Sequence, residues 1–236
     1  MMPRRARLFA VVPAAGRGER FGGRQPKQYV ALLGRPVLSW SLGALLAVSS
    51  VRSVIVALSE GDRRFARLPE SRDARVRTCL GGTRREHSVA NALQALEGRA
   101  RDEDWVLVHD AARPCLRRSD LRALMTGVAG DPVGGLLAVP LADTLKAADG
   151  DGRSARTVPR EGLWRALTPQ MFRYGLLRRA LALCLDRDRG VTDEAAAIEL
   201  LGLRPRLVPG RADNLKVTRR EDLALAAGVL REARAR

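Results

Sequence analysis

The first residues that suggest chemistry are small ones. Pro13-Ala14-Ala15-Gly16-Arg17-Gly18-Glu19-Arg20 follows an apolar run, and Pro26-Lys27-Gln28-Tyr29 comes soon after. Alanine and glycine let a backbone approach a ligand closely, and successive amides in such a loop form a nest for phosphate oxygens. A tight turn is the other reading of the same glycines. Arg20 and Lys27 add a guanidinium fork and a compact ammonium, groups that neutralise oxygens gaining charge during phosphate transfer. The loop is not a Walker A sequence, because Lys27 follows proline. It is not a dinucleotide fingerprint either, because Phe21 stands where the third glycine belongs.

Further constellations are spread along the chain. Gly81-Gly82-Thr83-Arg84-Arg85-Glu86-His87-Ser88-Val89 reads as a turn entering a helix, with Thr83 and Glu86 at capping-box spacing. A glycine there can also offer its backbone to a base edge. His109-Asp110-Ala111-Ala112-Arg113-Pro114 closes an apolar run. Asp110 suits a ribose, a substrate hydroxyl, a metal-bound water or a simple turn cap, and Arg113 suits a phosphate or a polyol. His109 reads as a packed residue, not a base. Thr192-Asp193-Glu194-Ala195 is a helix start with Asp193 as N-cap, and Thr192 adds a hydroxyl. Arg211-Ala212-Asp213-Asn214-Leu215-Lys216-Val217-Thr218 brings a second lysine.

These residues need a scaffold. Leu8–Val12, Ser53–Leu58, Arg75–Cys79, Trp105–His109 and Gly135–Val139 are short apolar runs of the kind buried parallel strands use. Pro36–Val48, Arg84–Leu96 and Ser119–Val128 alternate with them as helices, and Gly175–Cys184, Glu194–Leu201 and Glu221–Ala233 close the chain as three more. The alternation predicts an α/β fold: a single doubly wound, mostly parallel, Rossmann-like sheet, with ligands at the carboxyl ends of its strands. One domain, residues 1–236, is expected. Asp143–Ala148 and Ala155–Arg160 flank Asp149-Gly150-Asp151-Gly152, a hairpin signal, and are too polar for a core. They predict a projecting β-arm over about 140–162, which needs a second subunit to pack on or else is a loose surface hairpin.

Composition excludes several classes. No apolar run reaches the roughly 20 residues of a membrane span, and the basic start followed by Leu8–Ala15 leads directly into charged, glycine-rich sequence, so it reads as a first strand in a cytoplasmic protein. Three scattered cysteines and two histidines give no zinc or disulfide pattern. The net charge of +16 fits either a nucleic-acid surface or a compositional bias. Basic positions are 39 Arg against Lys27, Lys146 and Lys216 alone, with no dominant basic block, and aromatic residues are only 4%. That is bias, not an RNA platform. It also marks the surviving lysines as positions where a compact ammonium is needed.

Taken together, Pro13 to Arg20, Pro26-Lys27-Gln28, the Gly-Gly-x-x-Arg-x-x-Ser-Val string and the three later motifs resemble the methylerythritol phosphate cytidylyltransferases of non-mevalonate isoprenoid synthesis. The resemblance implies transfer of CMP from CTP to methylerythritol phosphate with release of pyrophosphate. It implies that Ala14, Ala15 and Gly16 cradle the triphosphate and that Arg20 and Lys27 stabilise the α-phosphate. It puts Gly82, Arg85 and Ser88 around the base and nearby ribose or phosphate, with Asp110 on the CTP side and Arg113 and Thr192 toward the acceptor. Lys216 would hold the acceptor phosphate. Thr144 and Arg160 would reach it from the arm of a partner chain in a homodimer. Mg²⁺ would be held mainly by CTP phosphates, with no protein cage. This sequence has Pro159 where the family usually has Asp, a local change beside Arg160. A ribitol phosphate cytidylyltransferase is the sibling alternative, and a basic RNA-binding protein the alternative from another class.

Overall fold

The computed structural model describes residues 6–16, 18, 21–22, 25–187 and 190–235. In chain order the elements are β1 (Leu8–Pro13), β2 (Ala31–Leu32), β3 (Arg35–Pro36), α1 (Val37–Leu46), β4 (Val51–Leu58), β5 (Val76–Leu80), α2 (Arg85–Gln94), β6 (Trp105–Val108) and α3 (Arg118–Val128). They continue as β7 (Gly134–Pro140), β8 (Leu145–Ala148), β9 (Ser154–Val158), β10 (Trp164–Arg173), α4 (Tyr174–Asp186), α5 (Glu194–Glu199), β11 (Arg206–Pro209) and α6 (Asp222–Ala235).

Seven strands form one sheet in the order β11-β7-β10-β6-β1-β4-β5. β1 pairs in parallel with β4 and β6, β4 with β5, and β7 with β11, so only β10, antiparallel to β6 and β7, runs against the rest. The α/β reading therefore holds. Side-chain alternation along β1 explains why both faces are covered. Ala10 and Val12 pack with Leu38 and Leu42 of α1 and Leu121 and Leu124 of α3. Phe9 and Val11 pack on the other face with Val89 of α2 and Leu177 of α4. A smaller cluster joins Phe21, Val37, Ala112 and Val217 to Leu230 of α6, and so seats the Lys216 segment against the sheet.

One local expectation changes and two strands are added. Thr83 does not cap α2: the N-cap is Arg84, with no side-chain cap bond, and Thr83 Oγ1 lies 3.2 Å from His87 Nδ1 instead. Trp164–Gln170, which follows the arm, belongs to the ten-residue β10 in mid-sheet, a strand that the apolar runs do not announce. Its pairing with β7 shifts register between Ala166 and Gln170, around Pro169, which cannot donate to the ladder. β11 is a further strand that composition hides: four residues with Arg206 at one end and Pro209 at the other, an edge strand by chemistry.

The arm forms as expected. β8 and β9 pair antiparallel as a sheet of their own, with Leu145 opposite Val158. Asp149 Oδ1 accepts from the amides of Asp151 and Arg153, and Gly152 takes φ +76° to close the turn. Lys146 Nζ donates to Thr157 Oγ1 at 2.7 Å across the hairpin, so this lysine serves the arm itself. Among the described residues no helix is long and apolar enough to cross a membrane.

Candidate active site

The carboxyl ends of β1, β5 and β6 open onto one cavity of about 180 Å³. Its wall takes Ala14, Ala15 and Gly16 after β1, Gly82 after β5, Arg85 and Ser88 from α2, Asp110 after β6, and Lys27 and Lys216 from more distant loops. These are seven of the residues expected to bind the nucleotide, with two of the expected cations. Arg20 lies outside the described residues.

The glycine loop is held from beneath. Buried Gln28 donates through Nε2 to the carbonyls of Ala14 at 2.7 Å and Gly16 at 3.1 Å. Ala14 N–H donates to Ala57 O at 2.8 Å, which continues the β1–β4 ladder, so Ala14 cannot give its amide to a phosphate. That part of the expected cradle belongs to Ala15 and Gly16. A Cβ on Gly16 would meet no protein atom within 4 Å, so packing does not demand its smallness and it is open to a ligand's close approach. Gly18 differs: it takes φ +71°, and a Cβ there would sit 2.9 Å from Lys27 Cγ. The glycine clears space for the lysine stem.

Gly82 is sterically fixed, since a Cβ would fall 2.2 Å from that of His87. Its amide donates to Ser88 Oγ at 3.0 Å. The hydroxyl of Ser88, buried at the start of α2, thus shapes the loop. The Gly82 carbonyl lies 3.4 Å from the same hydroxyl and keeps a lone pair that it can turn to a base.

An alternating chain of charges lines the far wall. Arg85 donates through Nη1 and Nη2 to Glu194 Oε1 and Oε2 at 2.6 and 3.0 Å, and through Nε to Asp110 Oδ1 at 3.1 Å. Asp110 Oδ2 meets Lys216 Nζ at 2.9 Å. Burial alone pushes the Asp110 carboxyl up, but Arg85, Lys216 and Arg113 outweigh it and hold it well below the usual carboxylate range. Burial pushes Glu194 up, and Arg85 pulls it back only in part. Arg113 stands behind Asp110 and does not line the cavity. Its Nη1 donates to Asn214 O at 2.7 Å, and its Nε is 3.5 Å from Asp110 Oδ2. That inward bond ties the Lys216 segment to the sheet.

His109 is fully buried and packs, as its setting in the sequence implied. Nε2 faces Arg113 O at 3.1 Å, a carbonyl that only accepts, so the proton sits there. Nδ1 then accepts from Thr168 Oγ1 at 3.0 Å, and that oxygen accepts from Asp110 N–H at 3.1 Å. Burial lowers the imidazole pKa to about 4. Asn214 Nδ2 donates to Thr168 O at 2.8 Å, so Thr168 on β10 braces both Asp110 and the Lys216 loop. Neither Thr168, Asn214 nor Glu194 was legible as a site residue, because β10 was unseen and Glu194 read as an ordinary first-turn acid.

Three more expected residues are not in this cavity. Thr144 and Arg160 are exposed on the arm, with Arg160 Nη1 donating to Ala142 O. Thr192 is exposed just before α5, whose N-cap Asp193 accepts from Ala196 N–H at 2.9 Å.

A doubly wound, mostly parallel sheet, with a glycine-bearing loop and lysines gathered at its carboxyl edge, is the architecture of an α/β nucleotidyltransferase. The family model for 2-C-methyl-D-erythritol 4-phosphate cytidylyltransferase matches residues 8–232, and the chain belongs to that family. The enzyme of that name from Dechloromonas aromatica is 54% identical over 227 residues, 95% of this chain and 98% of its own. The one from Pseudomonas entomophila is 54% identical over 217 residues, 92% of each chain. Among solved structures, the Francisella tularensis cytidylyltransferase of this name superposes with TM-score 0.83 at 31% identity, covering 95% of this chain and all of that one (100%). A 4-diphosphocytidyl-2C-methyl-D-erythritol synthase gives TM-score 0.83 at 39% identity, covering 96% and 99%. The chain is thus a nucleotidyltransferase enzyme of the cytidylyltransferase type, and the comparisons favour the methylerythritol reading over ribitol phosphate or RNA.

Proposed function

We propose that this chain transfers CMP from CTP to 2-C-methyl-D-erythritol 4-phosphate, giving 4-diphosphocytidyl-2-C-methyl-D-erythritol and pyrophosphate. The observation that carries the reading is the meeting of the Ala15–Gly16 loop, Lys27 and the Asp110–Lys216 pair at one cavity. An acceptor phosphate oxygen forms a bond to the α-phosphorus, the α–β anhydride bond breaks, and pyrophosphate carries away the electron pair. The nucleophile is already an anion, so no general base is required, which suits a site whose histidine is neutral and bonded on both nitrogens. The chemistry then rests on positioning and charge stabilisation.

Ala15 and Gly16 amides receive the triphosphate, and Lys27, with Arg20, stabilises the α-phosphate as charge builds on it. Lys216 holds the acceptor phosphate. Gly82 can meet a base only through its carbonyl, an acceptor that suits the exocyclic amine of cytosine and repels the carbonyl of uracil. Asp110, the one carboxylate on the cavity wall among the described residues, already takes two cations on its two oxygens. A single carboxylate so paired fits a divalent cation held mainly by the triphosphate, and Asp110 is the residue that would face it. Mg²⁺ held in this way would supply charge neutralisation across the phosphates.

We read the catalytic unit as a homodimer of single-domain chains in the cytoplasm. Support comes from the arm, whose strands are largely exposed and whose Thr144 and Arg160 line no part of their own chain's cavity. Placed against a second copy, they would complete the acceptor site. Pyrophosphate release measured over CTP, UTP, ATP and GTP with methylerythritol phosphate and ribitol phosphate tests the whole reading. Release confined to CTP with the methylerythritol acceptor is expected. Equal rates with UTP or with ribitol phosphate would sink it.

A further inference from the structure

We infer that Glu194 is a positioning residue: its carboxylate fixes the Arg85 guanidinium and, through it, the Asp110–Lys216 pair on the cavity wall. The inference rests on the phosphate-transfer reading of that cavity.

The geometry is directional. Arg85 has a planar fork of donors and two carboxylates within reach. Glu194 takes both terminal nitrogens, one on each oxygen, and leaves only Nε for Asp110. Asp110 therefore keeps Oδ2 for Lys216, at 2.9 Å. Without Glu194, the fork would be free to chelate Asp110 with two nitrogens and compete with Lys216, or to swing toward a bound phosphate. Either movement changes the charge that an acceptor phosphate meets at Lys216.

Glu194 is itself held on both sides. Buried Gln170 of β10 accepts from Ala195 N–H at 2.8 Å and donates to Asp193 Oδ2 at 2.9 Å, while Asp193 caps α5. The Glu194 side chain is 1% exposed, so water does not share its bonds. A buried ion pair is often no better for stability than well-packed apolar groups of the same volume. What an apolar residue cannot do is hold a guanidinium in one plane.

The test is a double-mutant cycle with Glu194→Gln and Arg85→Lys, read by steady-state kinetics and by calorimetric CTP binding. Glu194→Gln should lower kcat/KM for the acceptor at least tenfold while the Kd for CTP moves less than threefold. In the Arg85→Lys background the same substitution should cost under twofold. Equal losses in both backgrounds, or wild-type kinetics with only a lower melting temperature, would overturn the inference. If Glu194→Gln does not fold, Glu194→Asp, one methylene short, enters the cycle with the same expectations at reduced size. Arginine-labelled NMR separates this from failure of the functional reading, since it needs no turnover. A slowly rotating guanidinium, absent in Arg85→Lys, should be present in the wild type and lost in Glu194→Gln. Its persistence in Glu194→Gln would equally overturn the inference.

Discussion

Lys216 Nζ stands 2.9 Å from Asp110 Oδ2, although the two residues come from different ends of the chain. Val217 N–H to Ala112 O at 2.8 Å and Arg113 Nη1 to Asn214 O at 2.7 Å are what bring the two loops together. Asp110 is thus the one negative charge between Arg85, Arg113 and Lys216. Asp110→Asn leaves those cations facing each other with only Glu194 to balance them. Removing one partner of a buried pair costs about 3–5 kcal/mol, and a loss in the lower part of that range is expected from urea unfolding. A loss below about 1 kcal/mol would mean that water already screens the cluster.

Lys27 should be required for turnover. Removal of a preorganised charge stabiliser lowers kcat by roughly a hundredfold or more, and Lys27→Ala should do so with a folded chain by circular dichroism. Near-normal turnover would take Lys27 out of the mechanism. Retained full activity in Lys27→Arg would show that any cation suffices and that a compact ammonium is not the point.

Gly18 and Gly22 separate strain from contact. Both take positive φ, +71° and +70°, so alanine at either should cost about 1 kcal/mol of stability. Only at Gly18 does the new methyl meet the Lys27 stem, while at Gly22 it meets nothing within 4 Å among the described residues. Gly18→Ala should therefore lower kcat by about tenfold, if displacing Lys27 forfeits part of its charge stabilisation, and Gly22→Ala should leave it unchanged. Equal kinetic effects would show that the loop's strain, not its contact with Lys27, governs the rate.

What could be read from the sequence follows from range. Leu8–Val12 and Trp105–Val108 announce their strands because successive residues face one apolar layer or the other, which makes the run apolar throughout. The arm announces itself through two Asp-Gly steps. β10 does not, because Pro169 interrupts it and its partners on both sides are remote in sequence. Ala14, Ala15, Gly16, Lys27, Gly82, Arg85, Ser88, Asp110 and Lys216 all reach the cavity, yet their bonds were not legible. Ala14 spends its amide on β4, and Arg113 faces inward, because the fold supplies Ala57 and Asn214 as partners. Glu194 and Arg85 are 109 residues apart, and the fold joins them by packing α5 on α4 and α4 on α2, with Gln170 of β10 holding the start of α5.

His109 should make the chain acid-sensitive in a defined window. Burial depresses its pKa to about 4, against about 6.5 in an unfolded chain. The unfolded state therefore takes up the proton first, and stability falls as pH drops from about 6.5 toward about 4, by about 3 kcal/mol in all. Unfolding free energies of the wild type and His109→Gln across that range give the answer as a difference in slope. Parallel curves would mean that the imidazole titrates freely, and a limb near pH 6.5 in kcat that vanishes in His109→Gln would make it a base after all.

Asp104 should act in a lower window. Its carboxylate is fully buried, takes three bonds from Arg7 and a backbone bond from Arg101, and titrates at about 2 because these bonds outweigh the upward push of burial. The depressed carboxyl contributes about 2 kcal/mol above pH 4, lost as pH falls from about 4 toward about 2. Asp104→Asn should remove that term and flatten the wild-type curve below pH 4 without touching the His109 window. A mutant that keeps the wild-type slope there would assign the acid loss to other carboxylates.

The exchanged arm makes the most discriminating prediction, because it concerns which chain supplies which half of a site. Arg160→Ala damages an arm and leaves its own cavity intact, whereas Lys27→Ala damages a cavity and leaves its arm intact. In a heterodimer of the two, arm exchange joins the intact cavity to the intact arm at one site and both lesions at the other. A purified heterodimer should then show about half the wild-type turnover, and a freely re-equilibrated equal mixture about a quarter, as expected for a two-fold assembly with random pairing. Arms that served their own chain would put one lesion in every site, and neither preparation would recover. Inactive heterodimers of verified composition would therefore confine each site to a single chain and leave Arg160 to the stability of the hairpin.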